Sequence, residues 1–269
     1  MLYFEPRIYS GFFFCTFVKK ITAVRLDIHL VEEGLLKTRS LVKNLIKEQK
    51  ILVNGVPAKK SGQDISEKDN IEILEQFKFV SRAGYKLEKA LEKFNISVDG
   101  LVALDLGAST GGFTDCLLQR GAKEVYGVDV GSGQMDKSIR LDERVSCFEK
   151  VNARHLDDLI RTGQFPPFKN DPEIVVADLS FISLTLVLPA IFNCVKEGTT
   201  FVVLVKPQFE LGKKAVNKKG IVTDNRERIK ALDRLKQFCE GAKATVKGTM
   251  DSPIKGGDGN VEYLLYFVK

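Results

Sequence analysis

The sequence predicts an α/β fold for its larger part: an open, mostly parallel sheet with helices on its faces, preceded by a small α+β domain. Three observations predict it. From Val80 onward, short apolar runs alternate with amphipathic stretches, the pattern of repeated strand–helix units. One junction, Asp105-Leu106-Gly107-Ala108-Ser109-Thr110-Gly111-Gly112-Phe113, lies between the apolar run Leu101–Leu104 and the amphipathic run Thr114–Gln119. The charge is local: of a formal +6 for the whole chain, residues 19–60 supply all, with ten Lys or Arg against four acids. A segment of that kind is the footprint of a polyanion-binding module.

Residues 1–22 read as an extension. The run Gly11–Val18 is apolar, but only Arg7 precedes it as a basic residue and no small-residue cleavage site follows, so it is a poor signal peptide. It is expected to be poorly ordered; an upstream mis-start, with translation beginning near Val18, would account for it.

Residues 23–79 form the basic module and a linker. A short helix over Leu26–Glu33 ends at Gly34, where glycine tolerates the left-handed exit. Thr38 can cap a second helix, Arg39–Gln49. Arg39, Lys43, Lys47 and Lys50 recur on one of its faces, and Leu41, Val42, Leu45 and Ile46 on another. Asn54-Gly55 between apolar pairs signals a hairpin, and Asp69–Leu74 supplies a further strand. A basic helix face can also be no more than a solvated surface; the concentration of cations on one face and in one segment favours a polyanion-binding role.

In residues 80–269, Ser81 can cap a helix running to Phe94. Strands are expected at 102–105, 124–129, 145–149, 174–178 and 201–206, with helices at 183–196 and 225–240 among those between them. Strand-like runs at 244–248 and 262–268 close the chain around a glycine-rich loop, 256–259. That hairpin would place one antiparallel strand in the sheet.

Composition excludes several classes. The five cysteines are scattered and lack CxxC spacing, which argues for a reduced cytoplasm and against a disulfide framework or zinc site. Two histidines leave little for metal chemistry, and no metal is expected. No apolar run reaches the ~20 residues that span a bilayer, so no membrane role is expected.

The glycine junction sets the ligand class. It lacks the second glycine that admits a pyrophosphate, so a nucleoside without phosphates fits better, and S-adenosylmethionine is the common one. Gly107, Ser109 and Gly111 would pass under its methionine part, with Asp105 supporting the turn. Asp129 ends the next strand, near the ~20-residue offset at which a carboxylate reaches ribose hydroxyls. Asn152 and Ala153, after the third strand, would lie near the adenine edge. Two further strands end in charge, at Asp178 and Lys206, where such folds bind ligands. For the loop alone, a ligand-free turn remains the plain alternative.

The N-terminal module resembles the S-four RNA-binding domain. The resemblance rests on Arg25-Leu26-Asp27 with Leu30-Val31, on Arg39-Ser40 and Ile46, and on Ile51-Leu52-Val53-Asn54-Gly55. It implicates Arg25, Arg39, Lys43, Lys47 and Lys50 in RNA contact. The larger domain resembles the FtsJ-like ribose 2′-O-methyltransferases through Ser81–Leu87, Asp178-Leu179-Ser180-Phe181, Lys206-Pro207-Gln208-Phe209-Glu210 and Asn260-Val261-Glu262-Tyr263. It implies a catalytic tetrad of Lys86, Asp178, Lys206 and Glu262, with Lys206 at the 2′-oxygen, Asp178 orienting it, and Lys86 and Glu262 positioning the nucleotide. Together the two halves look like the TlyA family of rRNA 2′-O-methyltransferases. The implied protein is a class I, Rossmann-like, S-adenosylmethionine-dependent enzyme acting on cytidine in ribosomal RNA or ribosomal subunits.

Three other readings compete. An RNA-binding protein with an inactive methyltransferase domain would not need the full tetrad. A cytolysin, a label that has travelled with this family as hemolysin, would need a membrane-active element the sequence does not offer. A small-molecule methyltransferase would leave the basic module without a role.

Overall fold

The computed structural model describes residues 24–269 apart from 37, 67, 75–77, 213–214 and 257–258, together with the backbone of 8–9 and 12–13. The chain divides into two compact units, Met1–Ser81 and Arg82–Lys269.

In the first unit, β1 (Ile8–Tyr9) pairs antiparallel with β2 (Phe12–Phe13). The rest of the expected extension lies outside the described residues. Then follow β3 (Val24–Arg25), α1 (Leu26–Glu32), α2 (Arg39–Lys47), β4 (Ile51–Val53), β5 (Val56–Pro57), β6 (Asp64–Ile65) and β7 (Ile71–Ile73). Leu26 and Leu30 of α1 meet Leu41, Val42, Leu45 and Ile46 of α2 in one buried cluster with Ile51 and Ile65. Thr38 does cap α2, accepting from the Leu41 amide at 3.1 Å, an interaction worth about 1 kcal/mol in helices generally. Val53 pairs with Val56, and the two turn residues, Asn54 and Gly55, take φ of 55° and 75°. Positive φ at both central positions is what a two-residue hairpin requires, hence Asn-Gly.

The second unit holds α3 (Ala83–Lys93), β8 (Val102–Leu106), α4 (Gly112–Gln119), β9 (Glu124–Val128), α5 (Lys137–Arg140), β10 (Val145–Phe148) and α6 (Leu156–Arg161). Next come β11 (Ile174–Ala177), α7 (Leu188–Cys194), β12 (Thr200–Val205), α8 (Pro207–Glu210), α9 (Asn225–Gly241), β13 (Thr245–Asp251) and β14 (Tyr263–Val268). Its seven strands run in the order β10-β9-β8-β11-β12-β14-β13. β14 runs antiparallel to its neighbours, β12 and β13, and the other pairings in the sheet are parallel. β8, β9, β11 and β12 are almost wholly buried, as in a sheet covered on both faces, whereas the edge strand β10 is half-buried throughout. The chain winds outward from β8 to β10, then crosses back to β11, so the order reverses between β8 and β11. In open sheets of this kind the ligand crevice lies at that point, outside the carboxyl ends of the strands.

Two local expectations are corrected. Ser81 does not cap α3: the helix begins at Ala83, and the preceding Arg82 makes no side-chain cap bond. The helix expected over 183–196 is broken. A 3-10 turn, Leu184–Leu186, capped by Ser183, precedes α7. Pro189 stands in the first turn of α7, where its missing N–H costs nothing; inside a continuous helix it would remove a hydrogen bond to residue 185.

Candidate active site

The glycine turn leaves β8 at the switch point. Gly107 has φ +79°, and a Cβ there would stand 2.6 Å from the Asp178 carbonyl oxygen. Glycine is therefore required for the turn to lie against the end of β11. The Gly107 and Ala108 amides donate to the Val128 carbonyl at 2.8 and 3.3 Å, and Gly111, at φ +89°, precedes α4. Asp129 sits beside this turn. Its carboxylate accepts from the Ser109 amide at 2.8 Å and the Gly131 amide at 2.6 Å. Gln134, which sequence reasoning missed, takes the Ser109 hydroxyl at 3.1 Å.

Asp105 is fully buried beneath the turn. Its Oδ2 accepts from Thr114 Oγ1 at 2.6 Å, while Oδ1 has no hydrogen-bond donor. Burial, reinforced by the charges of Asp178 and Asp129, raises its pKa from 3.8 to about 7. Between those values the folded state binds more protons than the unfolded one. On this group's account, stability falls as pH rises from about 4 to about 7. Asp105→Asn is expected to flatten that slope; melting temperature against pH for both proteins is the check, and parallel curves would contradict it.

The four implied tetrad residues form two ion pairs. Lys206 Nζ lies 2.7 Å from Asp178 Oδ1 and donates to Ser180 Oγ at 2.8 Å. The approach to Asp178 is an ion pair without hydrogen-bond alignment, so Oδ1 is buried with no donor of its own. Lys86 Nζ lies 2.6 Å from Glu262 Oε2, both side chains nearly buried. Strand register brings the pairs to one edge of the sheet. Val205 pairs with Tyr263, so Lys206 and Glu262 flank one rung, and the Asp178 amide donates to the Leu106 carbonyl at 3.0 Å.

An aromatic pair stands over this edge. Phe181 is 91% exposed and takes φ +65°, and its ring centroid is 5.1 Å from that of Phe209. Lys206 Nζ is 6.0 Å from the Phe209 ring centre. An exposed phenylalanine in a costly backbone conformation is suited to stacking on a planar ligand. The signal was in the sequence: each ring lies three residues past a strand-end ionisable group.

Asn152 is exposed, and its side chain accepts from the Arg154 amide at 3.1 Å. Ala153 packs in the main core, which leaves its backbone to face any ligand. Among the described residues no group of three His, Cys, Asp or Glu could hold a metal ion.

The crevice fits S-adenosylmethionine. The cofactor carries an ammonium and a sulfonium and no phosphate. The crevice offers the carboxylates of Asp129 and Asp178 and a backbone cradle at Gly107 that a side chain would fill.

In the first unit, Lys43 and Lys47 are exposed on α2 as expected, and Lys50 is half-buried. Arg25 and Arg39, also implicated in RNA contact, have a second role. Both hold the nearly buried Asp27: Arg25 with two bonds of 3.0 Å, Arg39 with bonds of 3.1 and 2.8 Å. The hydrogen bond from Arg25, above all, holds the Asp27 carboxyl down at about 2. Its contribution to stability is complete above the unfolded value of 3.8 and is lost as pH falls through about 2. These arginines therefore anchor the fold, although each stays about half exposed.

Residues 79–269 match the FtsJ-like methyltransferase family, and residues 24–71 match the S4 domain. The chain is 41% identical to the 16S/23S rRNA (cytidine-2′-O)-methyltransferase TlyA of Mycobacterium tuberculosis, covering 90% of this chain and 88% of that one. It is also 41% identical to Hemolysin A of Brachyspira hyodysenteriae, over 91% of this chain and 100% of the other. A solved Streptococcus thermophilus structure that bears the hemolysin name superimposes with a TM-score of 0.72 at 39% identity, covering 92% of this chain and 88% of that one. No helix among the described residues is long and apolar enough to cross a membrane. The chain belongs to the TlyA family of FtsJ-like, S-adenosylmethionine-dependent methyltransferases, with an S4 domain ahead of the methyltransferase domain.

Proposed function

We propose that this chain methylates a ribose 2′-hydroxyl, that of a cytidine in ribosomal RNA, in the cytoplasm. The observation that carries the reading is Lys206, whose amine is held by Asp178 and Ser180 at the sheet edge that also bears the Gly107 turn. S-adenosylmethionine supplies an activated methyl group. What remains for the protein is alignment and management of one proton.

A ribose hydroxyl is a weak acid. Lys206 Nζ, when neutral, accepts the 2′-hydroxyl proton as the oxygen takes the methyl group. The resulting ammonium stands between Asp178 and Ser180, which stabilise it and fix its direction. Lys86 and Glu262 neutralise each other and present a buried, rigid pair that positions the nucleotide. Phe181 and Phe209 offer a stacking surface for a base. Asp129 binds the cofactor ribose with the lone pairs its two amide donors leave. The S4 domain recruits the RNA through Lys43 and Lys47, with Lys50 and the outer edges of Arg25 and Arg39 beside them.

Asp129→Ala is expected to weaken S-adenosylmethionine binding by about 1–3 kcal/mol, the cost of leaving buried polar partners unpaired. RNA affinity should barely change. Calorimetry showing unaltered cofactor affinity would remove Asp129 from the cofactor site. The function as a whole is tested by mapping 2′-O-methylation on ribosomal RNA from a deletion strain. A cytidine mark should be lost and should return with the wild-type gene; an unchanged map would refute the reading.

A further inference from the structure

Behind the exposed groups lies a buried carboxylate with no part in the chemistry proposed above. Glu210 ends α8, four residues past Lys206, and is 7% exposed. Its Oε1 accepts from the Leu184 amide at 2.9 Å, and its Oε2 accepts from the Ser183 hydroxyl. Burial raises its pKa, opposed by the hydrogen bonds from Ser183 and Leu184 and, less, by Arg234 of α9. A buried carboxylate is expensive unless its oxygens are satisfied, and here both are, by one neighbouring segment.

That segment is the loop leaving β11. It carries Asp178, Ser180 and Phe181 before it reaches Ser183 and Leu184. Glu210 belongs to the segment leaving β12, which carries Lys206 and then, in α8, Phe209. The interactions that hold these reactive groups cross from one loop to the other: Lys206 to Asp178, Lys206 to Ser180, Phe181 to Phe209. The Lys206–Asp178 pair is largely buried, whereas the Ser180 bond and the ring pair face solvent. The Glu210 carboxylate is a buried tie between the same two segments.

We propose that Glu210 is a positioning residue: its carboxylate locks the Asp178 loop to the Lys206 loop and thereby sets the Lys206 amine against Asp178 and Ser180. It acts through Lys206 and touches neither cofactor nor RNA. The proposal rests on the methyl-transfer reading for its consequence, but the tie itself can be measured without turnover.

The experiment uses the full chain with Glu210→Gln, Ser183→Ala and Ser183→Thr. Glutamine keeps the shape but loses the charge and one acceptor. Hydrogen exchange should quicken in 178–184 and 207–211 together in Glu210→Gln, since the opening of one loop frees the other. At saturating substrates, kcat should fall roughly ten- to a hundredfold, the scale of a small misplacement at a reacting centre. The Kd for S-adenosylmethionine and the KM for RNA should stay within about twofold. Ser183→Thr, which keeps the hydroxyl, should retain more kcat than Ser183→Ala. A purely structural Glu210 would lower the melting temperature and leave kcat intact well below it. Unchanged exchange in 178–184, or a kcat within about twofold of wild type, would overturn the proposal. If the wild-type protein transfers no methyl group to RNA, the function reading fails alone, because exchange still reports whether the tie exists.

Discussion

Lys206→Ala is expected to abolish methyl transfer while S-adenosylmethionine affinity stays within a few-fold of wild type. The side chain brings to the strand edge an amine with both a carboxylate and a hydroxyl partner, Asp178 at 2.7 Å and Ser180 at 2.8 Å. Truncation removes the acceptor for the 2′-proton and the ammonium that forms as the proton is taken, both of which matter only in the transition state. A general base alone contributes typically ~10²–10⁴-fold. Lys206→Arg is informative beside it. Arginine keeps the charge but cannot give up its proton in this pH range, so it should be nearly as inactive. Single-turnover transfer with saturating cofactor and RNA is the measurement, with calorimetry for cofactor binding. Wild-type rates in either variant would remove Lys206 from the mechanism.

The second large effect concerns RNA. Replacing Lys43 and Lys47 with glutamine is expected to weaken RNA binding and flatten its salt dependence. Counterion release predicts a slope change of up to ~0.7–0.9 for each phosphate that is no longer neutralised. The pair is chosen because both lysines are exposed on α2, whereas Arg25 and Arg39 also hold Asp27 and their loss would confuse binding with unfolding. Cofactor affinity should be untouched, since no residue implicated in cofactor binding lies in that unit. RNA affinity against salt gives the answer. Coincident lines for wild type and variant would make this face a plain solvated surface.

Much of the fold was legible because a parallel sheet covered on both sides writes itself as apolar runs. Ile174–Ala177 and Thr200–Val205 could hardly be anything else, and a charge directly after each marks the crevice. Asn54-Gly55 was legible because few residues accept positive φ twice in succession. The tetrad came from its resemblance to a family, and the structure pairs its members two by two.

What escaped the sequence depends on neighbours distant along the chain. Asp27 looks like an ordinary helix residue until α2 brings Arg39 to it. Ser180 reaches Lys206, and Phe181 meets Phe209, only because β11 and β12 lie side by side. The two-residue strands Val24–Arg25 and Asp64–Ile65 are too short to show a period, and the four-residue helix Pro207–Glu210 is shorter than one amphipathic repeat. Pro189 was a visible warning against a continuous helix over 183–196.

The most direct measurement is transfer of labelled methyl from S-adenosylmethionine to ribosomal RNA or subunits purified from a deletion strain. The RNA is then digested to nucleosides and the modified one identified by mass. The predicted product is 2′-O-methylcytidine, formed by the wild-type protein and absent with Lys206→Ala. A methyl group on a base, or none on RNA, would contradict a ribose-directed rRNA methyltransferase.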